Sequence, residues 1–319
     1  SNYGLEVTLN VVPVKTNNFK WLSTFNYWRN TTKVRDLHED YGEFKVLGGD
    51  IAYGNFRIGS VAFEGGEYGV LMSDSKAKTW QSTNENGDPI DDPRNGMPLL
   101  NYSDSRRGAL FIRSGEPERV GKIQPDFEGS WSNEFTYKGL SLSFLLDARI
   151  GGHMGSCSSR YGTAYGYRDA SLTGTDTDFG GVSWTSQYAD TQGQQYTDGI
   201  IPEGVFQPGQ MVTAPNGNSV NVGGMTFQEA YDQGLVEPTH AGFYHYFRNS
   251  WGNGVVNSDW FKELKYVAFR NISIGYNLPK SLSERLNAKN LYVGLNGRNL
   301  GYLYNSMPND INPESFRGT

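Results

Sequence analysis

"FRNISIGYNLP", Phe269–Pro279, is the stretch that decides how the chain is read. It is too short and too punctuated for a helix. Ile272, Ile274, Tyr276 and Leu278 fall on one face, and Asn271, Ser273, Gly275 and Asn277 on the other, which is the period of a β-strand. Val267 and Phe269 lie on the opposite phase to Ile272, so a bulge is expected near Arg270-Asn271. Pro279 ends the strand. A soluble sandwich would bury the apolar face in a core. A membrane barrel would turn the same face to lipid and keep the polar face inside.

The same alternation recurs along the chain. Leu5, Val7, Leu9 and Val11 stand opposite Glu6, Thr8 and Asn10. Phe19, Trp21, Phe25 and Tyr27 stand opposite Lys20, Thr24 and Asn26. Phe127, Trp131, Phe135 and Tyr137 alternate with polar residues up to the tight turn "YKG". Leu140, Leu142, Phe144, Leu146, Ala148 and Ile150 follow it, and Leu291, Val293 and Leu295 repeat the pattern. These runs are about 9–12 residues long, the length of a tilted membrane-spanning strand rather than an ordinary one. Tyr27, Trp28, Trp131, Tyr137, Tyr276, Tyr302 and Tyr304 cluster at strand ends, as an interfacial girdle would require. "VKTNN" and "YKG" are short, whereas Gly151 to about Asp259 reads as one irregular stretch. So long a loop counts against a compact soluble domain. Short turns at one end and long loops at the other are the asymmetry of outer-membrane barrels.

Composition agrees. Among 319 residues there are 40 glycines, and 14% are aromatic. That suits turn-rich β-structure better than helices. No run approaches the roughly 20 apolar residues of a membrane helix, which leaves a barrel open because alternating strands give a weak hydropathy signal. A net charge of −6 without a Lys/Arg run argues against a nucleic-acid partner. Cys157 is the only cysteine, so no intrachain disulfide forms.

Two C-terminal segments carry a family resemblance: "WFKELKYVAFRNISIGYNLP", Trp260–Pro279, and "LYVGLNGRNLGYLYNSMPNDINPESF", Leu291–Phe316. "GRNL", Gly297–Leu300, and "NPE", Asn312–Glu314, sit where the family pattern has Gln/Arg-Asn-Leu and Asp/Asn-Pro-Glu. Gly121–Met154 and Gly4–Asn30 match two further strand–turn–strand units. The chain thus resembles the SusC/RagA family of TonB-dependent outer-membrane transporters, typical of Bacteroidetes. The resemblance implies an all-β fold: an antiparallel transmembrane β-barrel portion, about ten strands of the 22-stranded type. Residues 1–319 would be the C-terminal part of that barrel, with 151–259 a long extracellular loop region. The plug domain, the TonB box, the N-terminal half of the barrel and a closing strand would lie outside this sequence. The implied function is active import of glycans or peptides in the outer membrane of a Gram-negative bacterium. The implied partners are TonB, acting through the plug, a SusD-like surface lipoprotein, and membrane lipid.

In that reading Ile272, Ile274, Tyr276, Leu278, Leu140, Leu142 and Phe144 face lipid. Asn271, Ser273 and Asn277 face a wet lumen. Gly275 marks a place where the plug or a neighbouring side chain comes close. Aromatic rings stack on sugar C–H faces, and amides, carboxylates and guanidinium groups bind hydroxyls. On this basis Tyr165, Tyr167, Arg168, Trp184 and Asn249 are the candidate ligand contacts. The alternative is that these side chains pack the loops against one another or against the lipoprotein.

Other motifs carry less. "NENGDPIDDPRNG", Asn84–Gly96, offers oxygens for Ca²⁺ but lacks EF-hand spacing, and reads as a solvated outer loop. "TGTDTDFGG", Thr173–Gly181, reads likewise. His240 and His245 are not spaced for zinc. No cofactor, metal site or catalytic residue is expected, and the chain does not read as an enzyme. Two other classes stay open: a soluble carbohydrate-binding β-protein, whose apolar faces would meet in a core, and a passive porin-type channel without plug or lid.

Overall fold

The computed structural model describes residues 1–41, 44–48, 58–73, 76–115, 118–250, 256–308 and 311–315. Asn309, Asp310 and Phe316, which belong to the C-terminal motif, lie outside them. Six long strands form one sheet: β1 (Asn2–Lys15), β2 (Phe19–Thr32), β3 (Phe127–Tyr137), β4 (Leu140–Gly155), β5 (Phe261–Asn277) and β6 (Tyr292–Asn305). They lie side by side in chain order, every neighbour antiparallel. The fold is all-β.

Antiparallel order puts every short connection at one end of the sheet. These are residues 16–18, 138–139 and 278–291. The long connections, 33–126 and 156–260, both leave from the other end. The "YKG" turn works because Lys138 and Gly139 both take positive φ, which Gly139 adopts without penalty. The segment after Pro279 is not a plain turn, since Lys280–Arg285 forms one short helix, α4.

Among the described residues six long strands make this sheet, and the resemblance implied about ten. The other strands are short and build four small sheets within the long connections. The stretch 151–259 is also more ordered than its composition suggested. Residues 151–155 complete β4, and the remainder contains three helices: α1 (Cys157–Ala164), α2 (Phe227–Asp232) and α3 (Ala241–Asn249). Cys157 opens α1 and is exposed there.

A core explains that order. Leu100, Phe111, Val212, Val222, Phe206, Phe227 and Val236 pack together and are buried. They come from both long connections, which therefore fold onto each other as one body. The strand Val205–Phe206 pairs in parallel with Leu99–Ser103 and ties the two connections by backbone hydrogen bonds. A capping box, in which Thr226 and Glu229 satisfy each other's backbone N–H groups, starts α2 so that Phe227 points into this core.

Candidate functional site

Cross-strand register gathers the apolar positions on one face. Leu140 is opposite Tyr276, Leu142 opposite Ile274, and Phe144 opposite Ile272. The row continues from Leu142 to Phe135 and Trp21, and from Ile274 to Leu295. Leu278 lies just past β5 and closes a groove with Leu140 and Tyr276. All seven candidate lipid-facing residues thus belong to one surface. It is uncovered among the described residues: Ile274 is 46% exposed, Leu295 76%, and Leu5, Leu9, Phe25 and Val293 are exposed too.

Two polar residues on this face are hidden by aromatic neighbours. Ser23 and Asn133 are cross-strand partners, 2% and 1% exposed. The Trp21 indole N–H donates to Asn133 Oδ1 (2.8 Å), and the Trp131 N–H to Ser23 Oγ (2.9 Å). Trp21 stacks on Phe135 and Phe25 on Trp131, with centroids 5.6 and 5.5 Å apart. The indoles bury the polar pair, satisfy part of it, and keep the outer surface apolar.

The opposite face is polar and cross-linked. Thr8 donates to Asn26 (2.9 Å), and Asn26 to Ser130 (3.0 Å). Glu128 accepts from Trp28 (2.9 Å) and Arg149 (3.3 Å). Asn296 donates to Ser273 (2.7 Å). The close approach expected at Gly275 is real: Tyr292 of β6 lies over it, and a Cβ there would stand 1.8 Å from the Tyr292 hydroxyl.

The expected bulge falls at Arg270. Leu146 pairs with Phe269 and Leu145 with Asn271, so Arg270 has no partner on β4. On β6 the register slips at the same level, where Phe269 pairs with Gly301 and Asn271 with Arg298. Asn299, inside "GRNL", takes φ +51°, a left-handed conformation that asparagine tolerates better than most residues. The bulge turns the Arg270 guanidinium onto the polar face. It donates to Asp147 (2.8 and 3.0 Å) and to Glu314 of "NPE" (2.7 Å). The Tyr302 and Tyr266 hydroxyls also donate to Glu314, at 2.7 and 3.3 Å. Hydrogen bonds from Arg270, then Tyr302, outweigh desolvation and hold the Glu314 carboxyl down to a pKa of about 2. Met307 and Ile311 pack beside this cluster against Leu264, Tyr266 and Ala268. The bulge, "GRNL" and "NPE" thus meet at one place.

The candidate ligand contacts do not share one cavity. Tyr165, at the end of α1, donates to or accepts from Ser250 Oγ (3.3 Å) and meets Tyr246 edge to face. It lines a cleft of about 950 Å³ with Arg106, His245, Tyr246 and Phe247. Tyr167 stands free at 83% exposed, and Arg168 packs over Gly162. Asn249 is 3% exposed and holds the end of α3: its amide donates to the His245 carbonyl (2.9 Å), and its own carbonyl accepts from buried Arg160 (2.8 Å). Trp184 belongs to a second cleft, of about 600 Å³, with Gln187, Asn216, Tyr231 and Pro238. Its indole stacks on Tyr196 (4.9 Å) and donates to Glu237 (3.2 Å). Glu237 is buried and also accepts from Ser186 and the Gln187 N–H (2.6 Å), so it fixes the Trp184 loop. Nothing in the local sequence singled out Glu237, whose partners lie some 50 residues away.

The remaining motifs fold on themselves. Asn84 Oδ1 accepts from the N–H groups of Asn86 and Asp88 (2.9 Å each), and Asp92 pairs with Arg94 (2.6 Å). That pairing drives the Asp92 pKa far below the usual carboxylate range. His240 faces Asp198 (3.1 Å), whereas His245 faces the Thr173 carbonyl (2.7 Å). Among the described residues no three His, Cys, Asp or Glu side chains gather as a metal site.

No family model matches the chain, and no curated protein does. Among solved structures it is similar to the RagAB peptide importer in the "closed-closed" state. The identity is 14% and the TM-score 0.48, over 95% of this chain and 26% of that one. It is also similar to the RagAB peptide transporter, at 12% identity and TM-score 0.46, over 95% and 25%. The chain spans about a quarter of the length of each.

Proposed function

We propose that this chain is part of the wall of an outer-membrane β-barrel that imports glycans or peptides actively. The supporting observation is the uncovered apolar face of six long strands. Each Leu, Val or Phe moved out of water is worth about 1.5–3 kcal/mol. A face carrying many of them needs lipid or a second layer, and the described residues supply no second layer. Strand length and the one-ended placement of short turns support the same reading.

In this reading the polar face lines the lumen and the body built from the long connections lies outside the cell. Its two aromatic clefts are where substrate or a SusD-like lipoprotein would touch. A plug domain, the rest of the barrel and TonB complete the machine. In this reading the chain's part is transport, with no catalytic residue, metal or cofactor required. The test is fractionation of the full-length parent protein, with co-purifying chains identified by mass spectrometry, followed by uptake of labelled oligosaccharides and peptides. Outer-membrane recovery with a surface lipoprotein and saturable, energy-dependent uptake is expected. Recovery as a soluble monomer would overturn the reading.

A further inference from the structure

The short-turn end of the sheet combines two features. The first is a groove of about 440 Å³ in the apolar face, between β4, β5, β6 and α4. Leu140, Ile274, Tyr276, Leu278, Leu282 and Val293 line it, with no charged or amide side chain among its walls. α4 forms the outer wall, and Leu282 stays 41% exposed there. Leu286, one turn further on, is 61% exposed.

The second feature is charge. The three short turns and the strand ends beside them carry Lys15, Lys20, Lys138, Lys280, Arg285 and Lys289 against a single acid, Glu284. The chain as a whole is at −6, so this end reverses its sign. All six cations are exposed, and none is in an ion pair with a described residue. Lys280 follows Pro279, which lines the groove. Lys138 precedes Gly139, whose carbonyl accepts from the Asn277 N–H (2.9 Å) at the end of β5. Lys138 and Lys280 thus stand one or two residues from the lining residues Leu140 and Pro279, and the Lys138 ammonium lies over the Tyr137 ring, 5.4 Å from its centroid.

We propose that this groove binds one anionic membrane phospholipid, with an acyl chain against Leu140, Tyr276 and Leu282 and the phosphate between Lys138 and Lys280. The charge complementarity selects the occupant: an uncharged chain fills the groove equally well, but only an anionic headgroup answers the basic turns. The inference rests on the membrane reading proposed above.

The full-length parent, purified from membranes in mild detergent, would be exposed to vesicles of phosphatidylglycerol or phosphatidylcholine. Retained lipid would then be counted by native mass spectrometry. One phosphatidylglycerol per barrel is expected, preferred over phosphatidylcholine by roughly thirtyfold for two lysines at about 1 kcal/mol each. The double variant Lys138→Gln/Lys280→Gln should lose that preference while keeping the heat-modifiable folded band. Leu282→Trp, which fills the groove, should reduce retention of both lipids. Equal retention of the two lipids by the parent, or retention unchanged in both variants, would overturn the inference and leave the membrane reading intact. A parent that never enters membranes would overturn both.

Discussion

Arg270 and Glu314 grip each other across 44 residues of sequence, and Arg270 can reach only because it is the extra residue of a bulge. Without the bulge the side chain at this position would point to the apolar face. With it, the guanidinium bridges Asp147 in the sheet wall and Glu314 in the segment after β6. Because the folded Glu314 pKa lies below its ordinary value of 4.5, at about 2, its contribution is complete above pH 4.5 and is lost as pH falls toward 2. Solvent screening limits that contribution to about 1 kcal/mol. Hydrogen exchange across residues 306–315 should therefore rise on acidification in that window. Glu314→Gln should raise it at neutral pH and flatten the pH dependence.

The two faces of β5 should respond oppositely to charge. Ile272→Arg places a cation on the apolar face, at a cost of about 2–4 kcal/mol near mid-bilayer. Ser273→Arg places it on the polar face beside Asn296, where water is at hand. The yield of heat-modifiable barrel in outer membranes should fall sharply for the first and stay near the parent level for the second.

Trp131 does more than add apolar surface. Trp131→Phe keeps the stacking on Phe25 but removes the donor to Ser23 Oγ, which is 2% exposed. A buried group left without its partner costs about 1–3 kcal/mol. Urea unfolding from liposomes should show a loss of that size, and adding Ser23→Ala to the same chain should recover much of it.

Gly275 is required by its neighbour rather than by its own backbone. Gly275→Ala drives a methyl into the Tyr292 ring, so β6 must shift or the tyrosine must swing away. Assembly should weaken for the single variant and recover in Gly275→Ala/Tyr292→Ser, read as folded yield in the same membranes.

Phe227→Ala separates the two parts of the molecule. The side chain is fully buried in the core of the long connections, and its loss should cost about 3–5 kcal/mol there. Limited proteolysis should cut within 156–260 while the heat-modifiable sheet persists.

The sheet was legible because its signal is local. Period-two alternation marks both faces, and the phase break between Phe269 and Ile272 placed the bulge at Arg270. The loop body was not legible, because its order comes from contacts distant in sequence. Phe206 and Phe227 lie in the stretch that reads as irregular, and only their packing with Leu100 and Val222 shows them to be core. Asn249 shows the same limit: its polarity suggested recognition, yet its amide caps a helix turn through the His245 carbonyl. The figure of about ten strands came with the family resemblance and not from the alternation, and among the described residues six strands of that length share the sheet. Glu237 was invisible because its partners Trp184, Ser186 and Gln187 lie in another segment.

The central claim is that the uncovered face of the six-stranded sheet meets lipid. The most direct measurement is a nitroxide scan of single cysteines along β5, introduced in a Cys157→Ser background of the full-length parent reconstituted in vesicles. Labels at 272, 274 and 276 should be relaxed by oxygen, and those at 271, 273 and 277 by an aqueous nickel chelate, alternating with the strand period. Chelate access on both faces, or labels at 272 and 274 shielded from both reagents, would contradict the account.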